Sequence, residues 1–166
     1  MIGTHLYWID GPWPGKLAIA ARPRGGDWLD EEMAAWRREG VNVVGSLLTG
    51  EENLDLELVA EDAAAKTQAM AFSRFAIPDR GVPASETRFS EFLAKLDEEL
   101  SVGRNVVIHC RQGVGRSGLV AGCLLVGKGV EPSRAIQRIS AARGVPVPET
   151  PEQQRWMDQY AATVAR

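Results

Sequence analysis

Two short runs of aliphatic residues, Val41–Leu48 and Val106–Ile108, constrain the fold of this chain most strongly. Apolar residues in these runs are nearly continuous, so each run is predicted to be a strand buried on both faces. Such strands occur in sheets that helices cover on both sides, and helical patterns at Asp27–Glu39 and Ser85–Val102 precede them. We therefore predict an α/β fold with a central, mainly parallel sheet flanked by helices.

The rest of the chain continues this alternation of strands and helices. Gly11–Gly15 is so rich in proline and glycine that it must form a turn, which predicts an opening hairpin. The further predicted segments are the two hairpin strands (His5–Asp10 and Leu17–Ala21), one more strand (Ala71–Ile77) and four helices (Asn53–Met70, Leu119–Val126, Pro132–Ala142 and Pro151–Ala165). No shift in composition marks an internal boundary, so we predict one domain over residues 1–166.

Length, charge and cysteine count exclude several classes of protein. A chain of 166 residues buries a sizeable core without crosslinks, so its two cysteines are predicted to be thiols in a reducing compartment. The net charge of −3 is scattered and gives no basic field for nucleic acid or anionic lipid. The N-terminus lacks a signal-peptide pattern, and no run approaches the roughly 20 apolar residues that span a bilayer. We expect a cytoplasmic protein that binds neither nucleic acid nor membrane.

The informative segment is His109–Gly118, a glycine-rich turn between a predicted buried strand and the start of a helix. Ligands of open α/β sheets bind beyond the carboxyl ends of the strands, where a helix N-terminus presents free N–H groups and partial positive charge. Gly113 and Gly115 allow successive amides to point inward as a nest. The segment therefore predicts a site for a tetrahedral oxyanion.

Two side chains add chemistry to this turn. Arg116, at the predicted helix start, can place a bidentate fork on two oxygens of a phosphoryl group. Cys110 lies at the floor of the same turn, and thiols at helix N-termini near cations ionise readily and become nucleophiles. A nucleophile and an oxyanion site are thus predicted at one strand end.

These residues resemble the C-x5-R-S/T phosphate-binding loop of the cysteine-dependent protein phosphatases, with the usual His109 before Cys110 and Ser117 after Arg116. The resemblance implies the compact α/β domain of dual-specificity phosphatases, with Cys110 as nucleophile. It also implies that His109 orients the loop and that Ser117 eases the departure of the thiolate. The implied phosphate-binding residues are those of the loop itself: Arg111, Gln112, Gly113, Val114, Gly115 and Arg116.

Two further residues follow from the resemblance. The family carries an aspartic acid on a separate upstream loop, and Ile77–Pro83 looks like that loop, which makes Asp79 the implied general acid. Expelling an alkoxide or phenoxide from phosphorus requires a proton at the leaving oxygen, which a carboxylic acid supplies. The resemblance also places a glutamine near the site to position water for the second step, and register favours Gln153 over Gln154.

The implied reaction is a two-step hydrolysis of a phosphate monoester through a cysteinyl-phosphate, with no cofactor and no metal. Gln112 and Val114 stand where phosphatases of inositol lipids tend to carry lysines, so a phosphorylated protein is the favoured substrate and partner. We expect hydrolysis of phosphotyrosine, extending to phosphoserine and phosphothreonine, by a monomer. Arg80 and Arg143 are candidates to flank the cleft.

Three alternatives remain open at this point. The same chemistry fits a non-protein phosphate such as a phosphoinositide, a nucleotide or an RNA 5′ end. A non-catalytic phosphate-binding module is a second alternative, although Cys110, Asp79 and Arg116 are all present. A redox or sulfur-transfer protein using Cys110 and Cys123 is the third, although Cys123 falls within an apolar helix and is better interpreted as a core thiol.

Overall fold

The computed structural model describes residues 3–164; residues 1, 2, 165 and 166, which include Ala165 at the end of the last predicted helix, lie outside the described part. Five strands form one sheet in the order β1-β2-β5-β3-β4. The strands are β1 (Tyr7–Ile9), β2 (Leu17–Ala21), β3 (Val43–Ser46), β4 (Ala71–Arg74) and β5 (Val106–Cys110). Only the edge strand β1 is antiparallel to its neighbour, which confirms the mainly parallel sheet and the opening hairpin.

Helices connect the strands and pack on both faces of the sheet. Their bounds are α1 (Leu29–Arg38), α2 (Gly50–Asp55), α3 (Glu61–Thr67), α4 (Glu86–Ser101), α5 (Gly115–Gly127), α6 (Pro132–Arg143) and α7 (Pro151–Val164). No helix within residues 3–164 is long and apolar enough to cross a membrane.

The middle strand β5 is buried along its whole length and contributes to two cores. Val106 and Ile108 belong to the larger core, which α4, α5, α6 and α7 cover. Val107, one residue out of step, belongs to the second core, which α1 and α3 cover. This alternation is what a strand with helices on both sides requires, because successive side chains point to opposite faces.

The predicted single helix over Asn53–Met70 is wrong, because the chain forms α2 and α3 instead. Glu57, between them, has a φ of 57° in the left-handed region, which ends a helix. The apolar residues Leu54 and Leu58 have helical spacing, but Leu54 is 70% exposed, whereas Leu58 is fully buried in the connecting turn.

The topology brings four loops to one edge of the sheet. Strands β2, β3, β4 and β5 run parallel, so their carboxyl ends lie side by side. Ala21, Ser46, Arg74 and Cys110 are the last residues of these strands. The loops that follow them therefore surround the end of β5, which is the edge where open α/β sheets bind ligands.

Candidate active site

The turn between Cys110 and α5 depends on two glycines. Gly113 has a φ of 72°, and a Cβ there would come within 2.5 Å of the backbone carbon of Ala20 on the neighbouring strand. A Cβ on Gly115 would come within 2.9 Å of Oε1 of Glu149. Gly113 therefore cannot be replaced without moving the backbone of the neighbouring strand, whereas a side chain at Gly115 would displace the Glu149 carboxylate.

Arg143, at the end of α6, holds the backbone of this turn. Its Nε donates to the carbonyl of Gly113 at 3.0 Å, and its Nη2 donates to the carbonyl of Gln112 at 3.2 Å. The guanidinium also lies over the ring of Tyr7, 4.2 Å from the centroid. Because the C=O and N–H of a trans peptide point in opposite directions, the following amides, those of Gly113 and Val114, are turned away from Arg143.

Cys110 ends β5 and is 3% exposed. The hydroxyl of Ser117, one turn into α5, donates to Sγ of Cys110 at 2.9 Å. A hydroxyl in this position stabilises a sulfur that carries negative charge. The second cysteine, Cys123, is fully buried in α5, where burial raises the pKa of its thiol.

His109 is buried behind the loop, in a pair that the sequence did not suggest. Its Nε2 is 2.6 Å from Oε2 of Glu61 on α3, and both side chains are fully buried. The pair fixes the orientation of the imidazole directly beside the backbone of Cys110. Glu61 and His109 are 48 residues apart in the sequence.

Arg116 is 2% exposed and donates to three residues from other parts of the chain. Its Nη1 donates to Oε1 of Glu52 at 2.7 Å and to the carbonyl of Ile77 at 2.8 Å. Its Nη2 donates to Oε2 of Glu52 at 2.9 Å and to Oδ1 of Asp79 at 3.1 Å. Burial alone would lower the pKa of Arg116, but the Glu52 hydrogen bonds and the Cys110 and Asp79 charges raise it above its usual value.

Glu52 is a site residue that the sequence reasoning missed. It is the third residue of α2, where it forms a capping box with Thr49: the Thr49 hydroxyl accepts from the Glu52 amide, and the Glu52 carboxylate accepts from the Thr49 amide. It also accepts from Nε of Arg111 at 3.3 Å. The available signal was Thr49-x-x-Glu52 directly after a predicted buried strand.

The Asp79 loop is fastened to the start of α7. Gln153, which is fully buried, donates from Nε2 to the carbonyl of Gly81 at 3.1 Å. Its Oε1 accepts from the amides of Glu149 and Thr150, both at 3.1 Å. Arg80 has a φ of 61° and donates to Oε2 of Glu149 at 2.8 Å.

These loops enclose a cleft of about 230 Å³. Its lining residues are Asp79, Arg80, Cys110, Arg111, Gln112, Gly115, Arg116 and Glu149. The structure thus brings Cys110, Arg116 and Asp79 to one cleft, with His109, Ser117 and Gln153 buried next to its walls. Within residues 3–164, no group of three or more His, Cys, Asp or Glu side chains is placed to hold a metal ion.

The ion pair of Glu52 predicts a loss of stability in acid. Burial by itself would raise the pKa of Glu52, but hydrogen bonds from Arg116, the Thr49 amide and Arg111 lower it from 4.5 to about 2. Because Glu52 has a lower pKa in the folded protein than in the unfolded chain, its ionised carboxylate contributes about 3 kcal/mol to the free energy of unfolding above pH 4.5. This contribution decreases below pH 4.5 and is lost as the pH falls through about 2.

We therefore expect the difference in unfolding free energy between the wild type and Glu52→Gln, measured by urea unfolding, to shrink over this pH range. Glu51→Gln is the matched control, because Glu51 lies in the same turn and is exposed. A difference between the wild type and Glu52→Gln that stays constant from pH 6 to pH 3 contradicts the prediction.

The parallel sheet and the Cys-x5-Arg-Ser loop at the end of its middle strand define the class of this protein as a cysteine-dependent phosphatase of the dual-specificity type. Residues 5–163 match the family described as "PTP-SAK: Swiss Army Knife protein, DSP-PTPase phosphatase domain". The chain belongs to this family. This membership favours an enzyme over the non-catalytic and redox alternatives.

Curated relatives and solved structures agree with this assignment. The chain is 33% identical over 91 residues to "Cyclin-dependent kinase inhibitor 3" of Rattus norvegicus and 34% identical to that of Sus scrofa. Each match covers 54% of this chain and 42% of the relative, so it spans less than half of the relative's length.

Two solved structures share the fold over almost the whole chain. Kinase associated phosphatase, with its catalytic-site cysteine replaced by serine, has a TM-score of 0.85 at 20% identity and covers 98% of this chain and 97% of its own. PTPMT1 in complex with PI(5)P has a TM-score of 0.75 at 17% identity, with 95% and 97% covered. At these identities the likeness shows the fold.

Proposed function

We propose that this phosphatase hydrolyses phosphotyrosine in proteins, and also phosphoserine and phosphothreonine, through a cysteinyl-phosphate on Cys110. One observation supports this most directly: Sγ of Cys110 and the guanidinium of Arg116 share a single cleft, with the Ser117 hydroxyl donating to the sulfur. An anionic sulfur beside a fixed guanidinium fork suits in-line attack on a bound phosphoryl group.

In the first proposed step, the thiolate of Cys110 attacks phosphorus, and an S–P bond forms as the bond to the leaving oxygen breaks. Arg116 and the amides of Arg111–Arg116 stabilise the equatorial oxygens. Asp79 gives its proton to the leaving oxygen. Its carboxylate lies next to Arg116 at the cleft, so it is close to the site of proton transfer before substrate binds.

In the second proposed step, water attacks phosphorus, the S–P bond breaks and the thiolate is restored. Asp79 takes the proton of the water, and the Ser117 hydroxyl stabilises the departing sulfur. Gln153 is the residue proposed to position this water. Because its Nε2 donates to the carbonyl of Gly81, it also holds the loop that carries Asp79.

A phosphorylated protein is the proposed substrate for two reasons. Gln112 lines the cleft at a position where a lysine would suit a highly charged head group. A relative is named as an inhibitor of a cyclin-dependent kinase and a structural neighbour as a kinase associated phosphatase, which connects both to protein phosphorylation. We further propose that the chain is a single-domain monomer located in the cytoplasm. The two free thiols support the location, because disulfides are rare in reducing compartments.

A panel of phosphate esters tests the substrate. We expect a phosphotyrosine peptide to give a kcat/KM at least about tenfold above a phosphoinositide, a nucleoside monophosphate and a 5′-phosphorylated RNA, with matching phosphoserine and phosphothreonine peptides between them. Cys110→Ser protein purified in the same way controls for contaminating phosphatases. Failure on every phosphopeptide together with fast turnover of one other ester would show that the substrate is not a protein.

A further inference from the structure

Arg80 and Glu149 form an ion pair at the rim of the cleft, and neither residue has a part in the chemistry proposed above. Nη1 of Arg80 lies 2.8 Å from Oε2 of Glu149, and both residues line the cleft. The other carboxylate oxygen of Glu149 lies close to Gly115, the first residue of α5. A carboxylate thus lies beside the turn that is proposed to bind the phosphoryl group, where a second anionic group of a ligand would have to be placed.

Each of the three arginines that line the cleft is paired with a carboxylate. Arg80 pairs with Glu149, and Arg111 and Arg116 both pair with Glu52, at 3.3 and 2.7 Å. Of the three, Arg116 is the one at the start of α5, below the proposed phosphoryl site. Arg116 pairs with Asp79 as well, at 3.1 Å, so the proposed phosphoryl site depends on Arg116 together with the amides of the turn. Neither rim arginine, Arg80 or Arg111, is without a carboxylate partner.

We propose that Glu149 is a specificity-determining residue, which restricts the cleft to ligands whose phosphate has no second anionic group beside it. The inference rests on the proposed function, because it takes the phosphate to bind at Cys110 and Arg116. For a protein substrate, it means phosphorylated residues flanked by neutral or basic side chains.

The physical reason is electrostatic. A second phosphate at the rim would lie near the carboxylate of Glu149. Two neighbouring negative charges repel each other unless a cation is free to compensate them. Arg80 is the cation at this place, and it already donates to Glu149. Removing Glu149 leaves Arg80 available, whereas removing Arg80 leaves the Glu149 carboxylate facing the rim. The two changes therefore act in opposite directions.

The experiment compares inorganic phosphate and pyrophosphate as competitive inhibitors of 4-nitrophenyl phosphate hydrolysis, without added metal. Pyrophosphate places its second phosphate directly beside the first. We expect the wild type to bind pyrophosphate no more tightly than phosphate. In Glu149→Gln, the ratio of the two inhibition constants should shift by about five- to tenfold in favour of pyrophosphate, and in Arg80→Gln it should shift against pyrophosphate.

Glu152→Gln is the matched control, because Glu152 is exposed in the first turn of α7, three residues after Glu149, and does not line the cleft. In this control, the ratio of the two inhibition constants should equal that of the wild type.

Shifts in the same direction for Glu149→Gln and Arg80→Gln would overturn the proposal, since they would mean that the Arg80–Glu149 pair only fastens the Asp79 loop. An unchanged ratio in Glu149→Gln would also overturn it. Absence of any aryl phosphate hydrolysis by the wild type would instead overturn the proposed function, and the inference with it.

Discussion

Replacing Cys110 with serine is expected to reduce the hydrolysis of 4-nitrophenyl phosphate by roughly 10⁴-fold or more. A serine hydroxyl remains protonated at neutral pH, so it lacks the anionic nucleophile that attack on phosphorus needs. The hydroxyl is slightly smaller than the thiol and Cys110 is 3% exposed, so the substitution changes the packing little and the fold should be retained. Steady-state rates give the size of the loss, and circular dichroism checks the fold.

Cys123→Ala is the matched control for this substitution. Cys123 is the other thiol of the chain, fully buried in α5, and should not affect the chemistry. We expect its kcat to stay within about threefold of the wild type at some cost in stability. Rapid quenching of the wild type should also reveal one phosphoryl group on the peptide that contains Cys110. Substantial turnover by Cys110→Ser would show that another group is the nucleophile.

The sequence predicted those parts of the molecule that depend on near neighbours along the chain. The buried strand Val106–Cys110, the glycine turn and the following helix form one continuous segment, and its residue types already carry the packing and anion-binding information. The same holds for the helix Glu86–Ser101, which the pattern over Ser85–Val102 predicted and whose N-cap is Ser85. The central sheet followed because strands without polar alternation need helices on both faces.

The missed residues are carboxylates that meet the loop across long stretches of sequence. Glu52 and Arg116 are 64 residues apart, and Arg80 and Glu149 are 69 apart. A glutamate in a helix is ordinarily a solvated side chain, and the pattern Thr49-x-x-Glu52 marks a helix start without showing which distant residue the carboxylate faces. Only the topology, which places the ends of β3 and β5 side by side, shows that Glu52 faces the guanidinium of Arg116.

These carboxylates explain how a chain of net charge −3 maintains a phosphate site. A buried guanidinium without a partner is strongly destabilising, and Glu52 removes that penalty by accepting from both of its Nη atoms. The same bonds hold the guanidinium plane in one orientation. Glu52 thus stabilises the fold and preorganises Arg116, and the two effects come from the same pair of hydrogen bonds.

Arg116→Lys is expected to lower kcat/KM for aryl phosphates by about 10³-fold while the protein still folds. Lysine keeps the positive charge but presents a single ammonium, so it cannot contact two phosphoryl oxygens and both oxygens of Glu52 in one plane. Arg111→Lys is the matched control in the same loop, because its side chain is 38% exposed and makes one contact with Glu52 at 3.3 Å. That variant should lose less than about tenfold.

Both variants conserve the positive charge, but only Arg116→Lys removes a buried guanidinium. Comparing them therefore separates the effect of guanidinium geometry from the effect of charge. Thermal unfolding of each variant shows whether the substituted protein is folded when its rate is measured. If Arg116→Lys is folded and retains a kcat/KM within about tenfold of the wild type, the planar fork is not what stabilises the transition state. Equal and large losses in the two variants would mean that the loop needs a guanidinium at both positions, rather than specifically the Arg116 guanidinium held by Glu52.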